Sequence, residues 1–445
     1  MESIRSSFRE VLRYPSALAG LVIVVVLVIT AIYAVIKIPY RRAVDLWRGG
    51  ESAWYQNPKL APPSWFNLFS KMKLPVSFKV STADGGMVKT VTPGAQDTGT
   101  VDISYVFDYQ YDGYPQELLL YFDTSFAERQ PFISIAWLTP DRRKIRIDDF
   151  GVSRKQTVRF AQIPRLVQRL GGEDPVQALF QDPETKELVK GQYQLVITGT
   201  TFEQGSDIDV EFVFHGQLYG LAGTDHQRRN LELPLLWGAP VALIFGLVAS
   251  LGTLVLTMII AAIGTWYGGW VDGLIQRITE INLVLPFLSI LVMVGVFYSR
   301  SIWVILGVTV LLSIFTGSIK SYRAIFLQVK ESGYIEAARA YGTSDLRIVF
   351  RYLIPRMIPL LIPGLVSSVP AFVFLEASLA ILGLGDPVLP TWGKIINDAD
   401  ANGALYKGYY YWILEPAALL MFTGFGFAML GFALDRIFNP RLREM

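Results

Sequence analysis

Few side chains in this 445-residue sequence are equipped for bond-making chemistry. Cysteine is absent, which removes thiolate nucleophiles, thiolate metal sites and disulfides together. The two histidines, His215 and His226, are too few for a histidine-based metal site and read as satisfied polar residues. No G-x-x-x-x-G-K-[ST] occurs, so there is no loop of backbone amides to cradle a nucleotide's phosphates. Paired carboxylates, or a serine with a base partner, are likewise not evident. What stands out is a polar, basic stretch between long apolar runs, Glu331–Pro355. Its pattern predicts a short helix over Tyr334–Tyr341 closed by Gly342, then an amphipathic stretch, Leu346–Leu353, stopping at Pro355. Two structured helices in a loop of a membrane protein point to docking. A second candidate is Glu376, a carboxylate inside an apolar run, where an ionisable group is functional by default. It would line a passage or hydrogen-bond an interrupted helix.

The elements that must position these residues are membrane spans. Hydrophobic residues make up 52% of the chain and the mean hydropathy is +0.37, which selects a polytopic membrane protein. A net charge of +2 gives no sign of a nucleic-acid partner. About 20 apolar residues cross the hydrocarbon core. Runs of that kind predict six spans: Leu18–Ile38, Leu235–Ala262, Ile281–Phe297, Ile302–Ile319, Leu360–Leu382 and Tyr411–Phe432, with Pro286, Pro363 and Pro370 kinking their helices. The first is too long for a signal peptide and is followed by no small-residue cleavage site.

Lys/Arg bias sets the orientation. Arg5, Arg9 and Arg13 precede the first span. Lys320, Arg323, Lys330, Arg339, Arg347, Arg351 and Arg356 fill the loop between spans four and five, and Arg436, Arg441 and Arg443 follow the last. Both tails and that loop are therefore expected in the cytoplasm. Arg41, Arg42 and Arg48 lie just beyond the other end of span one, ahead of a segment large enough to translocate regardless of them.

Between spans one and two the texture changes for roughly 190 residues. Val101, Ile103, Tyr105, Phe107, Tyr109 and Tyr111 alternate with mostly polar residues, the period of a half-buried strand. Phe132–Leu138, Ile145 with Ile147, Tyr193–Ile197 and Ile208–Phe214 read as further strands. Ile163–Leu170 and Val176–Phe180 read as short helices. Short strands separated by Pro/Gly turns predict a β-rich, sandwich-like domain. Gly191–Leu195 adds a faint immunoglobulin-like signature. The aromatic row fills the sandwich core, with a sugar-stacking platform as the other reading.

The spacing Glu336-Ala337-Ala338, Gly342, Ile354-Pro355 resembles the "EAA" coupling loop of ATP-binding-cassette importer permeases. Leu12–Gly20, Leu60-Ala61-Pro62-Pro63-Ser64, Gly223-Thr224-Asp225, Trp237-Gly238-Ala239, Gly268–Asp272, Leu382–Gly385, Thr391-Trp392-Gly393 and Asn439–Arg443 extend the likeness. It is to the second, C-type permease subunit of dipeptide/oligopeptide importers, over the first 65 or so residues and nearly everything after 220. In that family the Leu60–Ser64 segment lies just before Gly-Thr-Asp. Here about 160 residues intervene, and Arg229-Asn230 replaces Arg-Asp. An extra domain inserted between two family segments accounts for this. Tyr352 and Ile354 stand where the coupling-loop consensus has isoleucine and leucine.

The resemblance implies six transmembrane helices of the type-I, methionine-importer-like fold, in a multi-pass plasma or inner-membrane protein. Residues 1–39 would be tail and first helix, 40–232 the extracytoplasmic β-rich insertion, 233–436 the permease domain with its coupling loop at 320–356, and 437–445 a cytoplasmic tail. Glu336, Ala337, Ala338, Arg339, Gly342, Ile354 and Pro355 would couple to the ATPase, the small alanines allowing close approach, and Glu376 would border the translocation path. The chain would bind no cofactor, ATP and Mg residing on two partner ATPase subunits. The other partners would be a second homologous permease, forming a heterodimer, an extracytoplasmic substrate-binding protein and the bilayer. Peptides or similar small solutes would be the cargo, with oligosaccharides the alternative inside the family. An ion-coupled secondary transporter predicts intramembrane charge pairs and repeat symmetry, which are not visible. A membrane-anchored enzyme lacks a catalytic constellation.

Overall fold

A computed structural model describes residues 15–94 and 97–438. Arg5, Arg9, Arg13, the start of the Leu12–Gly20 segment and Asn439–Arg443 lie outside the described residues. The chain divides into two compact units, Met1–Arg48 with Leu233–Met445, and Gly49–Glu232.

The first unit is helical. We number its helices α1 (Pro15–Lys37), α2 (Tyr40–Arg48), α3 (Glu232–Tyr267), α4 (Gly269–Val284), α5 (Phe287–Phe297), α6 (Ile302–Ile314), α7 (Gly317–Lys330), α8 (Gly333–Ala340), α9 (Ile354–Leu379), α10 (Trp392–Ala401) and α11 (Tyr411–Phe438). Among the described residues, four stretches are long and apolar enough to cross a membrane: α1, α3, Leu361–Leu384 and Tyr411–Arg436. Two more candidates are broken. The single kinked helix expected over Ile281–Phe297 is instead two helices, α4 and α5, differing in direction by 79°. Leu285 is extended and Pro286 supplies no N–H, so the helical ladder stops there. The run expected over Ile302–Ile319 likewise breaks after Ile314, and α7 leaves at 49°. Carbonyls freed at this break find a partner: the Asn282 side-chain amide donates to Leu312 O and Phe315 O at 2.8 Å each.

Helices surrounded by lipid gain little from apolar burial, so small and polar residues make their contacts. α1 crosses α11 backbone to backbone at Gly20, where a Cβ would sit 2.7 Å from Gly426 O. α3 bonds its neighbours through Ser250 Oγ to Leu365 O (2.8 Å) and Thr257 Oγ1 to Ile314 O (3.1 Å). Large apolar side chains such as Val22, Ile29 and Ile36 point outward.

Among the described residues the second unit holds nine strands: β1 (Phe78–Ser81), β2 (Val88–Pro93), β3 (Gly99–Tyr109), β4 (Glu117–Ser125), β5 (Phe132–Leu138), β6 (Lys144–Gly151), β7 (Lys155–Arg159), β8 (Gly191–Thr201) and β9 (Asp207–His215). They form two antiparallel sheets, ordered β1-β9-β4-β7 and β2-β3-β8-β5-β6. Alternate residues of both enter one core, including Ile103, Phe107, Leu120, Trp137, Tyr193 and Phe212. The aromatic row belongs to this core: Tyr109 is buried, Phe107 nearly so, and Tyr105 and Tyr111 pack against its edge. Tyr193 Oη donates to Val189 O (2.6 Å), the upstream backbone bond of a tyrosine corner.

At the neck of this unit the two separated segments meet. Ala61 N donates to Thr224 Oγ1 (3.0 Å), Thr224 N to Ala61 O (2.8 Å), Tyr219 N to Pro62 O (2.9 Å) and Ser64 N to Gly220 O (2.9 Å). Buried Asp225 receives buried Arg229 Nε at 2.5 Å. Nearby, fully buried His215 places Nδ1 3.2 Å from Glu117 Oε2 and 3.1 Å from Arg228 Nη1, while Arg228 Nη2 donates to Glu117 Oε2 at 2.9 Å. One ring nitrogen serves either neighbour, donating to the carboxylate when it carries hydrogen and accepting from the guanidinium when it does not. The bonds from His215 and Arg228 pull the Glu117 carboxyl down to about 2 against the opposing effect of burial, and burial pushes the His215 imidazole down.

Candidate coupling site

The expected short helix is present as α8. Ser332 O accepts from Ile335 N (2.9 Å) at its start. At its end Gly342 has φ +73, Gly342 N donates to Arg339 O (2.9 Å) and Thr343 N to Ala338 O (3.1 Å). These two bonds make a Schellman cap, which needs a residue free to adopt positive φ, as glycine is. Glu336 lies in the first turn, where a carboxylate suits the helix dipole.

One face of α8 is committed inward. Ile335 and Ala338 are buried in a cluster with Ala262 and Trp266 of α3, Phe326 of α7, and Ile348, Leu353 and Met357. Glu336, Ala337, Arg339 and Gly342 are exposed, and Tyr341 is 90% exposed. The two alanines therefore differ. Ala338 is small because its own protein packs against it, whereas Ala337 offers a small side chain outward.

The amphipathic stretch expected to stop at Pro355 does not stop there. One helical turn, Asp345–Ile348, passes into a π turn, Val349–Leu353, which continues into α9. Pro355 sits in the first turn of α9 immediately after the π turn, where it has no N–H to give the continuing helical ladder. Ile354 is buried in the same cluster and Pro355 is exposed. The second part of the site is thus continuous with a long helix, and only the turn at 341–344 separates it from α8.

Several residues that hold α8 and its surroundings in place escaped the sequence reading. The Arg339 guanidinium stacks over the Trp266 ring, 4.3 Å from its centroid. Lys330 Nζ donates to Thr265 O and Trp266 O at 2.9 Å each, neutralising the carbonyl end of α3. Arg323 grips Asp272 through Nε, 2.8 and 2.9 Å from its two oxygens, tying α7 to α4. Asp272 closes the Gly268–Asp272 motif, the one signal that marked it.

Glu376 is brought to none of these residues. It is buried in α9 and hydrogen-bonded to Thr391, the N-cap of α10. It shares a crevice of about 10 Å³ with Arg300 and Asp386, space for at most one water. Asp386 in turn accepts from Ile302 N at 2.9 Å, at the start of α6. Arg300, which is exposed, also borders this crevice.

Long apolar helices joined by small-residue contacts, with one short helix locked on its inner face and open on its outer face, define a polytopic helical membrane permease. Residues 254–444 match the model of the binding-protein-dependent transport system inner membrane component. The chain is 28% identical over 223 residues to the dipeptide transport system permease protein DppC of Bacillus subtilis (strain 168), covering 50% of this chain and 69% of that protein. Over 228 residues it is 28% identical to the oligopeptide transport system permease protein OppC of the same organism, covering 50% and 72%. A Brucella suis biovar 1 protein described as a peptide transport system permease is 30% identical over 226 residues, covering 50% and 74%. The chain belongs to this family of binding-protein-dependent importer permeases.

Proposed function

We propose that this chain forms half of a peptide pathway across the membrane and that α8 is the point at which ATP-driven force enters it. A second homologous permease supplies the other half, a substrate-binding protein delivers the peptide, and two ATPase subunits bind ATP and Mg. Kinship to dipeptide, oligopeptide and peptide transport permeases supports peptides as the cargo. Counting each bent pair as one span gives six. With that count both tails and the 320–356 loop share one side, and the seven basic residues of the loop assign it to the cytoplasm. Residues 49–232 then lie outside as a β-rich domain, Tyr40–Arg48 of the expected 40–232 insertion grouping instead with the helices, and 437–445 form a cytoplasmic tail.

The observation that carries the proposal is the division of α8 into an inner face fixed to α3, α7 and α9 and an outer face made of Glu336, Ala337 and Tyr341. A partner gripping the outer face moves the inner cluster as a rigid body. The π turn passes that movement into α9 with no slack. Ala338 and Ile354 serve transmission in this scheme, while Glu336, Ala337, Arg339 and Gly342 serve docking, with Pro355 at the outer surface of the junction. Glu376 acts as a positioning residue joining α9 to α10.

In proteoliposomes containing the assembled transporter, Glu336→Arg reverses the charge of the docking face without touching the core. Gly342→Pro forbids the positive φ of the cap. Both are expected to lower ATP-dependent uptake about tenfold or more, equivalent to roughly 1.4 kcal/mol of coupling. Membrane insertion should be unaffected and basal ATPase activity should continue. Unchanged uptake in both variants would refute the assignment.

A further inference from the structure

The arginines beyond span one contribute nothing to coupling and run against the charge bias that orients the chain. α2 resolves their placement. Arg41, Arg42 and Arg48 are exposed, whereas Ala43 and Trp47, one turn apart, are buried, so charge and apolar surface segregate on nine residues. Its apolar face is thus packed against the protein, and its three arginines are left facing out. Beside it opens a crevice of about 230 Å³ lined by Val35 of α1, Tyr40 of α2, Trp237 and Ile244 of α3, and Trp303 and Leu306 of α6. Its walls are apolar apart from the Tyr40 hydroxyl and the tryptophan N–H groups. The Trp237 N–H is already taken by Ile38 O at 3.1 Å. Tyr40 and Trp303 are 53% and 63% exposed. Tyr and Trp at such a level belong to the aromatic belt at headgroup depth.

We propose that this crevice binds one acyl chain of an anionic phospholipid from the leaflet at which α1 ends, with the phosphate held by the arginines of α2. Charge complementarity selects the ligand. Within α2 three guanidinium groups face a single carboxylate, Asp45, and guanidinium is the side chain best matched to phosphate oxygens. Tyr40 belongs to both halves of the site, lining the crevice and adjoining Arg41 in sequence. The lipid would fasten α2, and the chain leaving it, to the ends of α1, α3 and α6. This inference does not depend on what the permease transports.

The test uses the assembled transporter purified from nanodiscs of mixed phosphatidylethanolamine and phosphatidylglycerol, with retained lipid counted by native mass spectrometry. The wild-type chain should retain phosphatidylglycerol preferentially. The triple variant Arg41→Gln/Arg42→Gln/Arg48→Gln should lose about fivefold in retention for each arginine removed. Ile244→Trp, which fills the crevice and keeps the arginines, should lose the retained lipid of either headgroup. A phosphatidylglycerol carrying a photoreactive tail should label the peptide containing Trp303. Retention indifferent to headgroup, retention unchanged in both variants, or a photoreactive group at position 303 that captures the second permease instead of lipid, would each overturn the proposal.

Discussion

The two units of this chain solve packing in opposite ways. In the β unit, large side chains go inward: Trp137, Tyr109, Tyr193, Phe180, Phe212 and Phe214 are all fully buried and touch edge to face or at a tilt. In the helical unit many large side chains, such as Val22, Ile29 and Ile36, go outward while others, such as Phe245, Phe326 and Trp412, are buried, and close helix contacts are made at Gly20, Gly426 and Ser250. The difference follows from solvent. Water drives apolar area together, whereas lipid is as apolar as leucine and rewards only close fit and satisfied polar groups. One polypeptide thus carries two incompatible rules for reading its hydrophobic residues.

The largest test of that contrast is Trp137→Ala. Removing this side chain from the sandwich should cost about 3–5 kcal/mol. In the intact membrane-inserted chain it should expose residues 49–232 to protease at a temperature where the wild-type unit resists, leaving the spans intact. Gly426→Val should do the reverse. A Cβ there would meet Ile23 at 2.7 Å, and overpacking of this kind costs about 1–3 kcal/mol. The thermal midpoint of the detergent-solubilised chain should fall while the protease resistance of the β unit stays the same. If both substitutions lower both readouts together, the units do not obey separate rules.

The smallest effect sharpens the picture of the β unit through its polar interior. The Glu117 carboxyl is held down to about 2 by His215 and Arg228, so its contribution is present above the ordinary carboxylate value near 4.5 and is lost as pH falls towards 2. The His215 imidazole is also held below its ordinary 6.5 by burial, so its contribution too is present above that pH and is lost below it. Both act in the same direction. The thermal midpoint of the β unit should therefore decline from near neutrality into acid. Glu117→Gln should lower it by a few degrees at pH 7 and flatten the decline below 4.5. An unchanged acid slope in that variant would show that the buried trio is not what the pH change addresses.

Legibility from sequence followed the same divide. β5 was readable residue for residue, and β3, β8 and β9 to within a few, because each has one or both faces buried and carries period-two or continuous apolar runs. β4 was missed although it lies inside its sheet. Its residues 118–122 form a continuous apolar run like that of β5, so the signal was present in the sequence. β1, β2 and β7 are short or exposed edges with little apolar signal. In the helical unit hydropathy located apolar content but carries no direction, which is why the 79° turn at Pro286 was read as a kink. At the coupling site Gly342 was legible because a positive-φ cap has a local sequence requirement. Trp266, Lys330 and the Asp272–Arg323 pair were not, since their roles depend on contacts between residues far apart in the chain.

The hydrogen bonds joining Leu60–Ser64 to Tyr219–Asp225 bring the outgoing and returning strands of the β body side by side. A few residues of linker would close that gap, so the whole module can in principle be excised or replaced without rethreading a single helix. Geometry of this sort makes such an ornament easy to acquire by one recombination event and easy to exchange afterwards. The permease domain is free to change on its own schedule.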